Sequence, residues 1–300
     1  MAKRETVLIA LGGNALINKG EKGSFSEQMR NVERTAREIA RIISAGHHVV
    51  ITHGNGPQVG NLLIQQEAGK KQVPPQPMHV CGAMSQGQIG YMLQQALSEA
   101  TGKCVATVIT QVLVDGDDPA FKHPTKFVGP FYKTKRKGTV WDSGRGFRRV
   151  VPSPEPKHII EAEAIKSLIK AGIIVIASGG GGIPVEIKNG RLQGVDAVID
   201  KDLAAELLAE TVNAKIMLIL TTVPEVFINY GKENQTAIRK IKEPLAQNYL
   251  FEGHFPPGSM GPKIEAALRF IRNGGKRVVI TSPELAWKGF QSKAGTEITK

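Results

Sequence analysis

Three glycine turns hold most of the chemistry that can be read in this 300-residue chain. Gly12-Gly13-Asn14 follows the apolar run 7–11, Gly54-Asn55-Gly56 follows 48–52, and Gly179-Gly180-Gly181-Gly182 follows 173–178. Glycines let a backbone approach a ligand closely, and their successive N–H groups make a cradle for an anion. In an open α/β sheet, turns at the carboxyl ends of strands line the ligand crevice. One such turn is an ordinary connection. Three at equivalent positions point to a bound phosphate or carboxylate.

Lysines supply the matching charge. Lys201 lies in Val198-Ile-Asp-Lys-Asp-Leu-Ala at the start of a predicted helix, and Lys263 follows Gly258-Ser-Met-Gly-Pro at the start of another. A cation at a helix N-terminus opposes the helix dipole unless an anion sits between them. Lys126, in His123-Pro-Thr-Lys-Phe, reads equally well as a solvated loop residue on spacing alone. Asp200 reads as a helix cap and Asp202 as an ion-pair partner that orients the lysines. Glycine amides and several lysines around one point suit phosphoryl transfer, where the charge on the moving group is neutralised while donor and acceptor are held in line.

Other anion and metal chemistries find no pattern here. There is no G-x-x-x-x-G-K-[ST] loop. Gly54-x-Gly56-x-x-x-Gly60 is one residue too long for a dinucleotide fingerprint, and the next strand runs into Thr110-Gln111 instead of an acid. Protein-kinase signatures and H-E-x-x-H are missing. His47 and His48 are consecutive, so in a strand they face opposite ways, and no dedicated protein metal site is expected.

Strands and helices alternate to position these residues. Runs 7–11, 48–52, 105–110, 173–178, 215–221 and 277–281 read as short buried strands. Met29, Val32, Ala36, Ile39, Ala40 and Ile43 make one stripe of an amphipathic helix, opened by a Ser24/Glu27 capping box and stopped at Gly46. Further helices are predicted over 58–67, 82–100, 158–170, 202–210 and 263–272. The pattern is that of a parallel sheet covered by helices. Two stretches interrupt it: 115–156, rich in Pro, Gly and charge, reads as an excursion from the sheet, and 184–195 as a hairpin turned by Lys188-Asn189-Gly190.

Composition narrows the class. At 41% hydrophobic and 22% charged residues, the chain is that of a packed globular protein. No apolar run approaches the roughly 20 residues of a bilayer span, and the first one is too short for a signal peptide. Cys81 and Cys104 form no C-x-x-C pair, which fits a reducing cytoplasm. The net charge of +12 is partly concentrated in Lys133, Lys135, Arg136, Lys137, Arg145, Arg148 and Arg149. No nucleic-acid-binding motif accompanies them and aromatics make up only 5%, which argues against nucleic acid as the main partner.

The motifs taken together closely resemble the carbamate kinases of the amino-acid-kinase superfamily. The matching blocks are Ala10-Leu-Gly-Gly-Asn-Ala, Thr52-His-Gly-Asn-Gly-Pro-Gln-Val-Gly, Ala83-Met-Ser-Gln-Gly, Asp118-Pro-Ala-Phe, Pro124-Thr-Lys, Val128-Gly-Pro-Phe-Tyr, Gly144-Arg-Gly-Phe-Arg-Arg, Ala177-Ser-Gly-Gly-Gly-Gly, Val198-Ile-Asp-Lys-Asp-Leu-Ala and Gly258-Ser-Met-Gly-Pro-Lys. They occur in family order over nearly the whole chain.

The resemblance implies a three-layer αβα sandwich around a mostly parallel, roughly eight-stranded sheet with a small protruding subdomain, and a homodimer. It implies transfer of phosphate between ATP and carbamate, giving ADP and carbamoyl phosphate, with Mg²⁺ carried by the nucleotide, in arginine catabolism. The N-terminal lobe, about 1–213, would hold carbamate, with a lid over 115–156, and the C-terminal lobe, about 214–300, the nucleotide. By motif, Gly12, Gly13, Asn14, Gly54 and Asn55 would face carbamate and the transferred phosphoryl group, joined by the Gly179 and Gly180 turn. Lys126 and Lys201 would stabilise the transition state, Lys263 would contact nucleotide phosphates, and Asp202 would hold the lysines. Thr221, Thr222, Val226, Tyr230 and Met260 would approach the nucleoside.

Two departures are visible. After Phe131-Tyr132 the family's longer acidic insert shrinks to the basic Lys133-Thr-Lys-Arg-Lys-Gly-Thr-Val-Trp, and Leu220-Thr-Thr-Val stands where the family reads Leu-Thr-Asp-Val. A different acceptor within the superfamily, or a non-catalytic nucleotide- or RNA-binding relative, are the alternatives the sequence leaves open.

Overall fold

Alternation within the strand Thr6–Leu11 sets the layering. Val7, Ile9 and Leu11 pack into one core, while Leu8 and Ala10 pack into another on the opposite face. A strand buried on both faces requires a helical layer on each. The computed structural model describes residues 4–18, 20–142 and 146–300, with the side chains of Asn14 and Pro130 outside that description. Gly144 and Arg145, which the sequence places in a family motif and in the basic cluster, therefore lie outside the described residues.

The main sheet has eight strands in the order Lys240–Lys242, Thr296–Thr299, Arg277–Thr281, Ile216–Leu220, Thr6–Leu11, His48–His53, Ile174–Ile176, Val105–Thr107. Six run parallel. Thr296–Thr299 is antiparallel to Arg277–Thr281, and Lys240–Lys242 runs alongside it in the same direction. Helices α1 (Phe25–Ser44) and α3 (Met78–Thr101) cover one face, and α4 (Ala162–Lys170), α5 (Lys201–Thr211) and α7 (Met260–Arg272) the other. Between α1 and α3 in sequence, α2 (Gly56–Gly69) leads out of the second glycine turn; α6 (Glu243–Phe251) and α8 (Ala286–Phe290) complete the helical set among the described residues.

Local signals account for several boundaries. Glu27 N–H donates to Ser24 Oγ at 3.4 Å and Ser24 N–H donates to Glu27 Oε2 at 2.8 Å, which is the capping box that opens α1. The expected hairpin is present, with Ile183–Lys188 paired antiparallel to Arg191–Gly194 across Asn189-Gly190. The 115–156 excursion contains a three-stranded antiparallel sheet of Lys126–Tyr132, Gly146–Val151 and Thr139–Asp142, in that order.

Three sequence expectations are corrected. The third strand stops at Thr107 instead of 110, because Gln111–Leu113 leaves to join the hairpin's sheet and Thr110 turns toward the glycine loop. Residues His158–Ile159 form a short strand against Gln111–Leu113, so the helix begins at Ala162. Helix α7 starts at Met260, which places Lys263 on the inner side of its first turn instead of at its opening residue.

Candidate active site

The glycine turns meet at the carboxyl edge of the central strands. Gly12 closes the strand Thr6–Leu11 by donating its N–H to Leu220 O at 2.7 Å, and a Cβ on Gly12 would collide with that oxygen. Gly13, Gly54, Asn55 and Gly180 line one cavity of about 280 Å³. Gly179 lies behind that wall, against His53 and Gln86, and Asn14 contributes a described backbone only. A Cβ on Gly180 would stand 2.1 Å from Asn55 Nδ2, so the second and third of these turns can touch only because glycine is there. Asn55 is fixed in turn by donating to Ser85 Oγ on α3 at 2.7 Å.

The lysines converge on the same cavity from three segments. Lys126 arrives on the first strand of the small sheet, Lys201 on the first turn of α5 and Lys263 from α7. Two carboxylates collect them. Asp200 caps α5 by accepting the Asp202 N–H at 2.9 Å through Oδ1, and takes Lys126 Nζ at 2.7 Å through Oδ2. Asp202, almost fully buried, takes Lys201 Nζ at 2.8 Å on Oδ1 and Lys263 Nζ at 2.9 Å on Oδ2. Both readings of the acidic pair, cap and lysine holder, are therefore present.

Electrostatics follow from this packing. Burial alone would raise the Asp202 carboxyl, but the two ammonium groups override it and hold the group at about 2. Lys263 is pushed down from the usual lysine value, first by burial and then by Lys201. His53, wholly buried, donates Nδ1–H to Gly54 O at 3.0 Å, and burial pushes its pKa down to about 4, with nearby Lys201 adding to the effect. It is a neutral imidazole at physiological pH. The cavity thus gathers three lysines against two carboxylates beside the glycine turns, an arrangement suited to an oligoanion whose charge is moving.

A second cleft opens from the first. Thr221, Thr222, Val223, Phe227, Tyr230, Pro256, Ser259 and Met260 line it, and Lys263 borders both spaces. Of the residues expected near a nucleoside, Thr221, Thr222, Tyr230 and Met260 face this cleft. Val226 instead is fully buried in the core, its N–H donating to Thr296 Oγ1, and the neighbouring Phe227 takes its place on the wall. The side chain alternates with the strand Val226–Ile228, which shifts the exposed position by one.

Sequence reasoning passed over His53, Thr52, Gln86 and Thr110. Each is a polar residue with at most about 2% exposure, and their signal was present: a glutamine on the apolar face of α3, within the Ala83-Met-Ser-Gln-Gly block.

Comparison with known proteins agrees with this geometry. The amino acid kinase family is matched over residues 5–282. The chain is 56% identical to the carbamate kinase of Pyrococcus horikoshii, covering 98% of this chain and 99% of that protein. It is 54% identical to the carbamate kinase of Pyrococcus furiosus, over 99% of each. Among solved structures, the carbamate kinase from Giardia lamblia bound to AMP-PNP superposes with a TM-score of 0.94 at 46% identity, covering 100% of both chains.

Proposed function

We propose a function from the premise that the chain belongs to the amino acid kinase family and, within it, to the carbamate kinases: it transfers a phosphoryl group between ATP and carbamate, interconverting them with ADP and carbamoyl phosphate. One observation carries the reading. Lys263 borders both the glycine-walled cavity and the cleft of Thr221, Tyr230 and Met260, so a nucleotide in the cleft presents its terminal phosphate to the lysines of the cavity.

In the direction of ATP synthesis, a terminal oxygen of the ADP β-phosphate attacks phosphorus and the bond from phosphorus to the carbamate oxygen breaks. Lys126, Lys201 and Lys263 neutralise the transferred group, while amides of the Gly13, Gly54 and Gly180 turns hold it in line. Asp202 acts through the two lysines it pairs. Mg²⁺ enters with the nucleotide as part of the substrate: both oxygens of Asp200 and of Asp202 already have partners, and no cluster of three metal-ligating side chains occurs among the described residues. The acceptor is small, since the described lining of the roughly 280 Å³ cavity holds glycines, apolar side chains and lysines and no arginine for a longer carboxylate.

The N-terminal lobe, 1–213, binds carbamate, the C-terminal lobe, 214–300, binds the nucleotide, and 115–156 is the lid that delivers Lys126. The enzyme works in the cytoplasm; no described helix is long and apolar enough to cross a membrane, and both cysteines are free. It works as a homodimer. Supporting this, Phe25, Asn61, Gln65, Gln88 and Tyr91 line a groove without charged side chains on a chain of net charge +12, and Gln72 to Ser98 contains no Asp, Glu, Lys or Arg. A second copy meets least self-repulsion there.

The test is formation of ATP from carbamoyl phosphate, ADP and Mg²⁺, against a protein-free control because carbamoyl phosphate decomposes unaided. Robust ATP formation supports the reading. Protein that binds ADP and forms no ATP rejects carbamate as the acceptor.

A further inference from the structure

We infer that Thr52, Gln86 and Thr110 form a buried clamp that sets the conformation of the 178–182 loop, and that the clamp is a positioning device for phosphoryl transfer. The inference rests on the phosphotransfer reading for its kinetic part. The loop is locally disfavoured. Positive φ angles occur at Ser178 (51°), Gly180 (69°), Gly181 (96°) and Gly182 (86°), and Ser178 is no glycine. Its hydroxyl is buried with no hydrogen-bond partner among the described residues, so the serine side chain does not hold the turn. A left-handed non-glycine residue persists where its surroundings over-determine it.

The surroundings are these three side chains. Ser178 N–H donates to Thr110 Oγ1 at 2.9 Å, and Ser178 O accepts from Thr52 Oγ1 at 2.9 Å. Gln86 Nε2 donates to Gly179 O at 3.1 Å and to Thr110 O at 3.2 Å, while Gln86 Oε1 accepts from Thr110 N–H at 2.8 Å. The Thr110 hydroxyl passes its own proton to Val108 O at 2.7 Å. All three are buried and none lines the cavity. They belong to three segments: the second central strand, α3, and the turn after Val105–Thr107. The residue they deliver, Gly180, faces the cavity against Asn55, where there is no space for even one extra carbon. Displacement of the turn by about 1 Å is enough to cost on the order of a hundredfold in rate.

The test compares Thr110→Val, which keeps the shape and loses the hydroxyl, with Thr110→Ser, which keeps the hydroxyl, and with Gln86→Met. Turnover, KM for ADP and amide hydrogen exchange of 178–182 are measured on each. We expect Thr110→Val and Gln86→Met to lose at least tenfold in kcat with KM for ADP within twofold, and to exchange the loop amides at least tenfold faster. Thr110→Ser should stay within threefold of the parent in both. If Thr110→Val does not fold, Gln86→Met leaves both hydroxyls in place and carries the same expectation. Folded Val and Met variants with kcat within twofold of the parent, or unchanged loop exchange, overturn the clamp. A parent protein that makes no ATP overturns the phosphotransfer reading instead, and loop exchange still decides whether the clamp exists.

Discussion

Lys126 and Asp200 are 74 residues apart in sequence and joined by a 2.7 Å hydrogen bond from Nζ to Oδ2, while the other oxygen of the same carboxylate caps α5. One side chain therefore ties the protruding sheet to the helix that bears Lys201. Lys126→Ala should cut turnover by about a hundredfold, as loss of one preorganised charge does. ADP affinity should hardly change, because Lys126 lines the cavity of Gly13, Gly54 and Gly180 and does not line the cleft of Thr221, Tyr230 and Met260. Calorimetric titration with ADP checks the second half; weakened binding would place Lys126 against the nucleotide instead of the transferred group.

Lys201→Ala should lower turnover by roughly two to three orders of magnitude in a folded protein. The side chain also lies over Gly54, whose Cβ position is 3.2 Å from Lys201 Cδ, so a modest fall in melting temperature is expected with it. Near-parental turnover in the folded variant would remove Lys201 from the chemistry.

Asp202→Asn addresses a different link. It leaves Lys263, itself largely buried, beside Lys201 with no directly bonded carboxylate, and stability should fall by about 3 kcal/mol, as breaking a buried ion pair does. Urea unfolding at pH 7 measures this. An unchanged midpoint would mean the two ammonium groups are already solvated.

His53 sets an acid limit. Its folded pKa is about 4 against 6.5 for a free imidazole, so below pH 6.5 the unfolded chain takes up a proton that the folded one refuses. Stability contributed by neutral His53 is complete above 6.5 and is lost as pH falls toward 4, at about 1.4 kcal/mol per pH unit and about 3 kcal/mol in all. Asp202, lowered to about 2, adds its own loss only between 3.8 and 2. Unfolding free energies at pH 7, 5.5 and 4.5 should fall accordingly, and His53→Gln should reduce the slope, leaving the share of His48, which burial also pushes down. A parent with no slope between 6.5 and 4.5 contradicts the burial of the ring.

How much of this was written in the sequence depends on the length of chain that carries each signal. The six parallel strands, the capping box of α1 and the Asn189-Gly190 hairpin are local patterns, and each is present, although the strand expected over 105–110 ends at Thr107. Strands Lys240–Lys242 and Thr296–Thr299 were not legible, since three or four residues at a sheet margin have no period to read. Lys201 and Lys263 were legible because a lysine at a predicted helix start is conspicuous, whereas Lys126 was singled out only by the family resemblance. Gln86 was visible as a polar residue on an apolar helix face, but its partners Gly179 and Thr110 are distant in sequence and meet it only in the fold.

The pairing of Thr6–Leu11 with Ile216–Leu220 joins what would be two lobes into one continuous ladder, from Val7 opposite Ile216 to Leu11 opposite Leu220, with Gly12 N–H continuing it onto Leu220 O. A hinge at that seam would have to tear main-chain hydrogen bonds in the water-free middle of the sheet, where an unsatisfied group costs about 1–3 kcal/mol. The main-chain ladder is therefore continuous across the seam between 1–213 and 214–300, on the edge where the glycine turns lie. The segment outside that ladder, 115–156, is tied back to it at α5 through the Lys126–Asp200 bond.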